Sequence, residues 1–173
     1  FGLKNLFVSM GGVDKDNTTI SVLNLLDSCV LPKDCIISVV MGADAPWLEQ
    51  VNRRAESMTY RTEVSINVTD MAKRMSEADL SIGAAGGTSW ERCALGLPSF
   101  LMLLADNQVG NITSLVECGA AQNFDQRTFS SFLKDIPKLK LQYMSIAAAS
   151  LPLPLPLPLP QPLRIHPSPS PSL

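Results

Sequence analysis

Histidine is almost missing from this sequence of 173 residues. The single one, His166, lies in a proline-rich tail, and none occurs in residues 1–150. A zinc site built on imidazole is therefore not expected in the body of the chain, and neither is a histidine general base. Cysteine is sparse as well. Cys29, Cys35, Cys93 and Cys118 show no Cys-x-x-Cys spacing, so no thiolate metal site or disulfide framework is indicated. Free thiols suit a reducing compartment, and a cytoplasmic location is expected. Basic charge is not in excess: 14 Lys and Arg face 16 Asp and Glu, a net −2. That speaks against non-specific nucleic-acid binding, which needs a basic surface. No run of eighteen apolar residues occurs, so no membrane span is expected. No leader peptide is visible. The chain opens Phe1-Gly2-Leu3-Lys4 and enters an apolar strand at once, which reads as a truncated start.

Two nucleotide fingerprints are absent too. A dinucleotide fold wants GxGxxG directly after its first strand, but the sequence there is Gly11-Gly12-Val13-Asp14. A Walker A loop, GxxxxGK[ST], is nowhere present. Asp44 follows the second strand but sits in a turn before Ala45-Pro46, a weak ribose ligand alone. NAD and ATP are poorly supported, and no cofactor is expected.

What is present is ordinary globular composition, 46% hydrophobic and 17% charged. The length suits one domain with a genuine core. Apolar strands are expected at residues 5–9, 35–41, 62–68, 80–82, 99–104 and 120–124. Helical spacing lies between them. Ile20, Leu23 and Leu26 form one face over residues 20–29, with Asn17 or Thr18 as cap. Trp47, Leu48 and Val51 form the next stripe after Pro46, and Met71, Ala72 and Met75 face inward after a cap at Thr69 or Asp70. Further helices are expected from Thr88 or Ser89, over 106–116 before Gly119, and over 128–133. Six strands alternating with helices predict an α/β fold: a doubly wound, parallel six-stranded, Rossmann-like sheet. Right-handed crossovers put the ligand loops at the carboxyl ends of the strands. The loops after strands one and four then adjoin.

The loop after strand four carries the strongest signal. Gly83-Ala84-Ala85-Gly86-Gly87-Thr88-Ser89-Trp90-Glu91-Arg92 is a glycine-rich turn leading into a helix with an acid in its first turn. Bare backbone lets a phosphate approach, and free N–H groups at a helix start favour an anion. Several neighbouring residues have plainer expectations. Trp90 is a packing residue ahead of a stacking platform, Arg92 pairs with a surface acid ahead of contacting phosphate, and Asp14 and Asp16 are solvated turn residues. Met71, Met75 and Met102 belong to the core, and Lys134, Lys138 and Lys140 form a solvated cluster.

These residues, with Ser9-Met10-Gly11-Gly12-Val13-Asp14-Lys15-Asp16-Asn17-Thr18-Thr19 after strand one and Ala105-Asp106-Asn107-Gln108 after strand five, resemble a bacterial family. It is UDP-2,4-diacetamido-2,4,6-trideoxy-β-L-altropyranose hydrolase, of pseudaminic acid biosynthesis. The resemblance covers the C-terminal half of that family and runs from about Phe1 to about Phe132. More distantly, the layout looks like the lipid-linked N-acetylglucosaminyltransferase of peptidoglycan synthesis, a GT-B enzyme of two Rossmann-like domains. The resemblance implies the C-terminal domain of a GT-B fold that holds the UDP part of a UDP-sugar. Ser9, Gly11 and Gly12 would approach the diphosphate, and Gly86, Gly87, Thr88 and Ser89 would form the second phosphate-facing wall. Glu91 would take the ribose hydroxyls, and Asn107 and Gln108 would face sugar or ribose. Uracil would lie near residues 41–43. The implied reaction is hydrolysis of the anomeric C–O bond with release of UDP. Its histidine base belongs to an N-terminal domain that this segment lacks, so no catalytic residue is assigned. The alternatives are the nucleotide-sugar-binding half of a GT-B glycosyltransferase, or an inactive UDP-binding remnant.

The domain is expected to span residues 1–140. From 141 to 173 a low-complexity tail is expected, with Leu-Pro then Ser-Pro repeats that forbid helix and central strand.

Overall fold

The computed structural model describes residues 2–134 and 138–151. Six strands form one sheet: β1 (Asn5–Ser9), β2 (Ile36–Met41), β3 (Arg61–Ile66), β4 (Leu80–Ala84), β5 (Ser99–Met102) and β6 (Ala121–Asn123). Their order is β3-β2-β1-β4-β5-β6, and every pairing is parallel. This is the doubly wound order, with its switch point between β1 and β4. The expected six-stranded α/β sheet is therefore the observed one.

The helices are α1 (Thr18–Ser28), α2 (Leu48–Glu56), α3 (Met71–Ser76), α4 (Thr88–Ala94), α5 (Val109–Glu117), α6 (Gln126–Lys134) and α7 (Lys138–Ala149). Most of them bury a stripe at helical spacing, whereas α3 buries only Met75. In α1 the buried residues are Thr19, Val22, Leu23 and Leu26, and in α6 they are Phe129, Phe132 and Leu133. Alternation along the strands feeds two faces. Leu6 and Val8 join the main core with α1 and α6, while Phe7 packs with Val40, Met75 and Leu97 on the other side. Met75 is fully buried, and Met71 and Met102 pack half-buried against the core.

Helix α7 corrects the expected boundary at residue 140, which falls inside it. Leu141, Met144 and Ala148 are buried, and α7 packs against α4. The low-complexity reading thus fails for the stretch up to Ala149. The Leu-Pro and Ser-Pro repeats and His166 lie outside the described residues. Lys134 and Lys140 are exposed, whereas the side chain of Lys138 is outside the described set.

At the amino ends of the strands Asp79 clamps β1 to β4. Its carboxylate accepts hydrogen bonds from the Lys4 and Asn5 amides at 2.8 Å each. Both strands are thereby held in register, and their carboxyl ends finish together.

Candidate functional site

Ser9, only 6% exposed, ends β1 opposite Gly83 of β4. The loops that follow these two strands therefore start side by side, as expected. Gly11 has φ +88°, a left-handed backbone that suits glycine, and Gly11 and Gly12 are both exposed. The end of β2 presses on this loop from behind: a Cβ on Gly42 would sit 2.0 Å from the Gly12 carbonyl oxygen. Gly42 thus borders the first loop.

Asp14 departs from its expected role as a solvated turn residue. It is 6% exposed, and its carboxylate accepts the Thr18 and Thr19 amides at 2.8 and 2.9 Å. Those are two of the orphan donors that begin α1. Asn17, expected as the cap, takes φ +55° and makes no side-chain cap bond. A fixed carboxylate therefore fills the anion-favouring start of α1, which leaves the exposed loop backbone at Gly11 and Gly12 as the accessible part. Asp16 is exposed, as expected.

The second loop, between β4 and α4, is braced from inside. Gly87 occupies the cap position of α4, and neither Thr88 nor Ser89 makes a side-chain cap bond. Ser89 is 1% exposed, and its hydroxyl donates to the Gly86 carbonyl. Its proton is spent within the loop, so Ser89 shapes the turn instead of presenting a donor outward. Gly86 and Thr88 are half-buried, and Gly87 and Glu91 are exposed on the accessible side.

Arg92 departs from its expected pairing with a surface acid. It is 0% exposed, not on the surface, and pairs with no acid among the described residues. Its Nη1 donates to Ser81 Oγ at 3.3 Å and its Nη2 to the Ala84 carbonyl, while Nε has no partner. Burial lowers its pKa to about 10, so it stays charged at neutral pH. The guanidinium lies against Gly83: a Cβ there would be 1.9 Å from Nη1 and 2.6 Å from the Ser9 carbonyl oxygen.

The third loop leaves β5 through a short 3-10 turn, Asp106–Gln108. The Leu104 amide donates to Gln108 Oε1 at 3.1 Å, and Gln108 Nε2 lies within 3.6 Å of where a Cβ on Gly86 would stand. Gln108 therefore reaches the second loop, while Asn107 stays exposed on the turn. Asn111 adds a link: it donates to the Ala85 carbonyl at 3.1 Å and accepts from Trp90 Nε1 at 3.3 Å. Trp90 packs against the smaller core at α4 and α5, consistent with its expected packing role.

Ser9, Gly11, Gly12, Gly86, Gly87, Thr88 and Gln108 thus gather at one edge of the sheet, with Glu91 and Asn107 at its exposed margin. Among the described residues no cluster of His, Cys, Asp or Glu is arranged to hold a metal, and no helix is long and apolar enough to cross a membrane. All four cysteines are free, and burial raises the thiol pKa of Cys35 and Cys93 to about 11. A groove of about 700 Å³ opens at the opposite edge, beside Asp79, Pro98, Tyr143 and Ile146.

Residues 20–150 match the model of the glycosyltransferase family 28 C-terminal domain. The chain belongs to this family. The family 28 match takes in the second and third loops and all of α7. Among curated proteins, the chain is 30% identical over 118 residues to the spore coat polysaccharide biosynthesis protein SpsG of Bacillus subtilis, covering 68% of this chain and 34% of that one. Among solved structures it is similar to MurG of Acinetobacter baumannii, with a TM-score of 0.67 at 22% identity, over 85% of this chain and 45% of that one. It is also similar to WaaG, a glycosyltransferase involved in lipopolysaccharide biosynthesis, with a TM-score of 0.66 at 19% identity, over 85% and 42%. The chain spans about a third of the length of the curated relative and under half of each solved one. The fold is thereby that of a GT-B C-terminal domain.

Three residues shape the site in ways the sequence does not suggest: Asp14, Arg92 and Asn111. Only Asp14 left a usable signal, an acid four and five residues before two threonines that open a helix. Arg92 and Asn111 act on carbonyls distant in sequence, which spacing does not reveal.

Proposed function

We propose that this chain is the nucleotide-sugar-binding half of a GT-B enzyme, and that it holds a nucleoside diphosphate at the carboxyl edge of its sheet. The carrying observation is the meeting of the loops after β1, β4 and β5, with exposed glycine backbone in two of them and Gln108 linking the third. In this reading Ser9, Gly11 and Gly12 face one side of the diphosphate, and Gly86, Gly87 and Thr88 face the other. Glu91, exposed in the first turn of α4, accepts hydrogen bonds from both ribose hydroxyls, which one carboxylate can do. Asn107 and Gln108 face the ribose or sugar, and uracil rests near residues 41–43. Backbone donors fixed in advance stabilise the departing diphosphate without reorganising during the reaction.

The partner of this half is a second Rossmann-like domain, which supplies the acceptor side of the cleft. Membership of family 28 favours sugar transfer over hydrolysis. The narrower alternative, hydrolysis of UDP-2,4-diacetamido-2,4,6-trideoxy-β-L-altropyranose, rests on the Gly86-to-Arg92 run. Hydrolysis needs a base to activate water. None of the described residues is a histidine, so the histidine base that the hydrolase reading implies has to come from outside them. A cytoplasmic location, where nucleotide-sugars are made and its thiols stay reduced, belongs to this proposal.

The ribose contact provides the test. Glu91→Ala is expected to weaken UDP about tenfold in calorimetric titration, the scale of losing hydrogen bonds to a charged group. Binding of 2′,3′-dideoxy-UDP should hardly change. Equal losses for the two nucleotides would remove Glu91 from the ribose subsite.

A further inference from the structure

We propose that Arg92 is a positioning residue and buried counter-charge for the diphosphate, acting through the Gly83–Gly87 turn without touching the ligand. The inference rests on the nucleotide reading above and names a group that sets its preference for charge. A buried guanidinium is costly unless it is paired and its donors are satisfied. Arg92 is fully buried, has no carboxylate partner among the described residues, and leaves Nε unbonded. Hydrophobic residues of similar volume often replace buried charges without loss of stability. Packing alone therefore gives little reason for a cation here.

Position supplies the reason. Arg92 Nη1 and the Ser9 carbonyl oxygen converge on Gly83, where β1 and β4 end side by side. Arg92 Nη2 holds the carbonyl of Ala84, which leads directly into Ala85-Gly86-Gly87. The uncompensated charge thus lies under the start of both glycine loops. Its field acts through a low-dielectric interior and is screened far less than that of a surface charge. A diphosphate held on the loops is the anion that balances it.

The test compares UDP with uridine, which shares the base and ribose but lacks the charge. Calorimetry would use the full chain as wild type, Arg92→Lys, Arg92→Gln and Arg92→Met, each checked for folding by circular dichroism. The neutral variants are expected to lose about tenfold in UDP affinity beyond any loss for uridine, the scale of one unit charge acting at several ångströms. Arg92→Lys should keep the UDP-to-uridine ratio within about threefold of wild type. Equal losses for UDP and uridine in the neutral variants would overturn the proposal and leave Arg92 a purely structural brace. If neither neutral variant folds, inorganic diphosphate titrated against wild type and Arg92→Lys decides. A desolvated lysine loses its proton at lower pH than arginine. The affinity of Arg92→Lys relative to wild type should then fall between pH 7 and 9, and a constant ratio would overturn the proposal. Wild-type protein that binds neither uridine nor UDP would instead defeat the nucleotide reading itself, and this inference with it. Binding of UDP by wild type with an unmoved ratio in Arg92→Gln would defeat this inference alone.

Discussion

Gly83→Ala is expected to destabilise the protein by about 3 kcal/mol, at the upper end of what overpacking a filled interior costs. A Cβ at this position would stand 1.9 Å from Arg92 Nη1 and 2.6 Å from the Ser9 carbonyl oxygen. The first atom belongs to a side chain, but one that is fully buried and has no room to retreat. The second is backbone of a central strand, fixed by pairing on both sides. For a chain of this length the loss corresponds to a drop in Tm of roughly 6–12 °C. A double-mutant cycle separates the two clashes. Placed on Arg92→Ala, the Gly83→Ala change should cost clearly less, because only the Ser9 contact remains. A drop under about 2 °C for the single variant would mean that β4 and α4 are not packed as described.

Phe100→Ala should cost more, about 3–5 kcal/mol, the usual range for truncating a buried aromatic residue. Phe100 is 0% exposed on β5. Its ring meets Phe129 edge-on at 4.8 Å and Phe132 at 5.0 Å, so it is the point where α6 seats on the sheet. Removing it deletes both aromatic contacts and leaves a cavity between sheet and helix. Phe100→Leu, which fills more of the space, should cost less than half as much. Urea unfolding followed by circular dichroism measures both. Similar midpoints for Ala and Leu would show that the ring is not enclosed.

The sheet was legible because a parallel strand covered on both faces must be apolar almost throughout. β2, with Ile36, Ile37, Val39 and Val40, announces itself that way. β3 is an edge strand with a more exposed pattern, yet its β-branched alternation still marked it. The glycine turns were legible for a different reason: Gly11, Gly86 and Gly87 stand directly after apolar runs. Side chains that work across the fold were not legible. An arginine on the second turn of a short helix is ordinarily solvated, and nothing near Arg92 in sequence marks Ser81 and Ala84 as its partners. Asp14 is the local exception: its spacing before Thr18 and Thr19 is a signal, but acids in a polar loop are usually exposed, and the left-handed turns at Asp14 and Asn17 are what fold it back onto α1. Helix α7 carries Leu141, Met144 and Ala148 at helical spacing, but it runs almost directly into the Leu-Pro repeat, whose composition hides the helix end.

Amide chemical-shift mapping tests the central claim most directly. UDP is added to isotopically labelled protein, and the backbone resonances are followed in a titration. The largest shifts are expected at Gly11, Gly12, Gly86, Gly87 and Thr88, saturating together, with Glu91 and Gln108 following. Shifts confined to the groove at Tyr143 and Ile146, or none at millimolar UDP, would contradict a nucleotide site at the glycine loops.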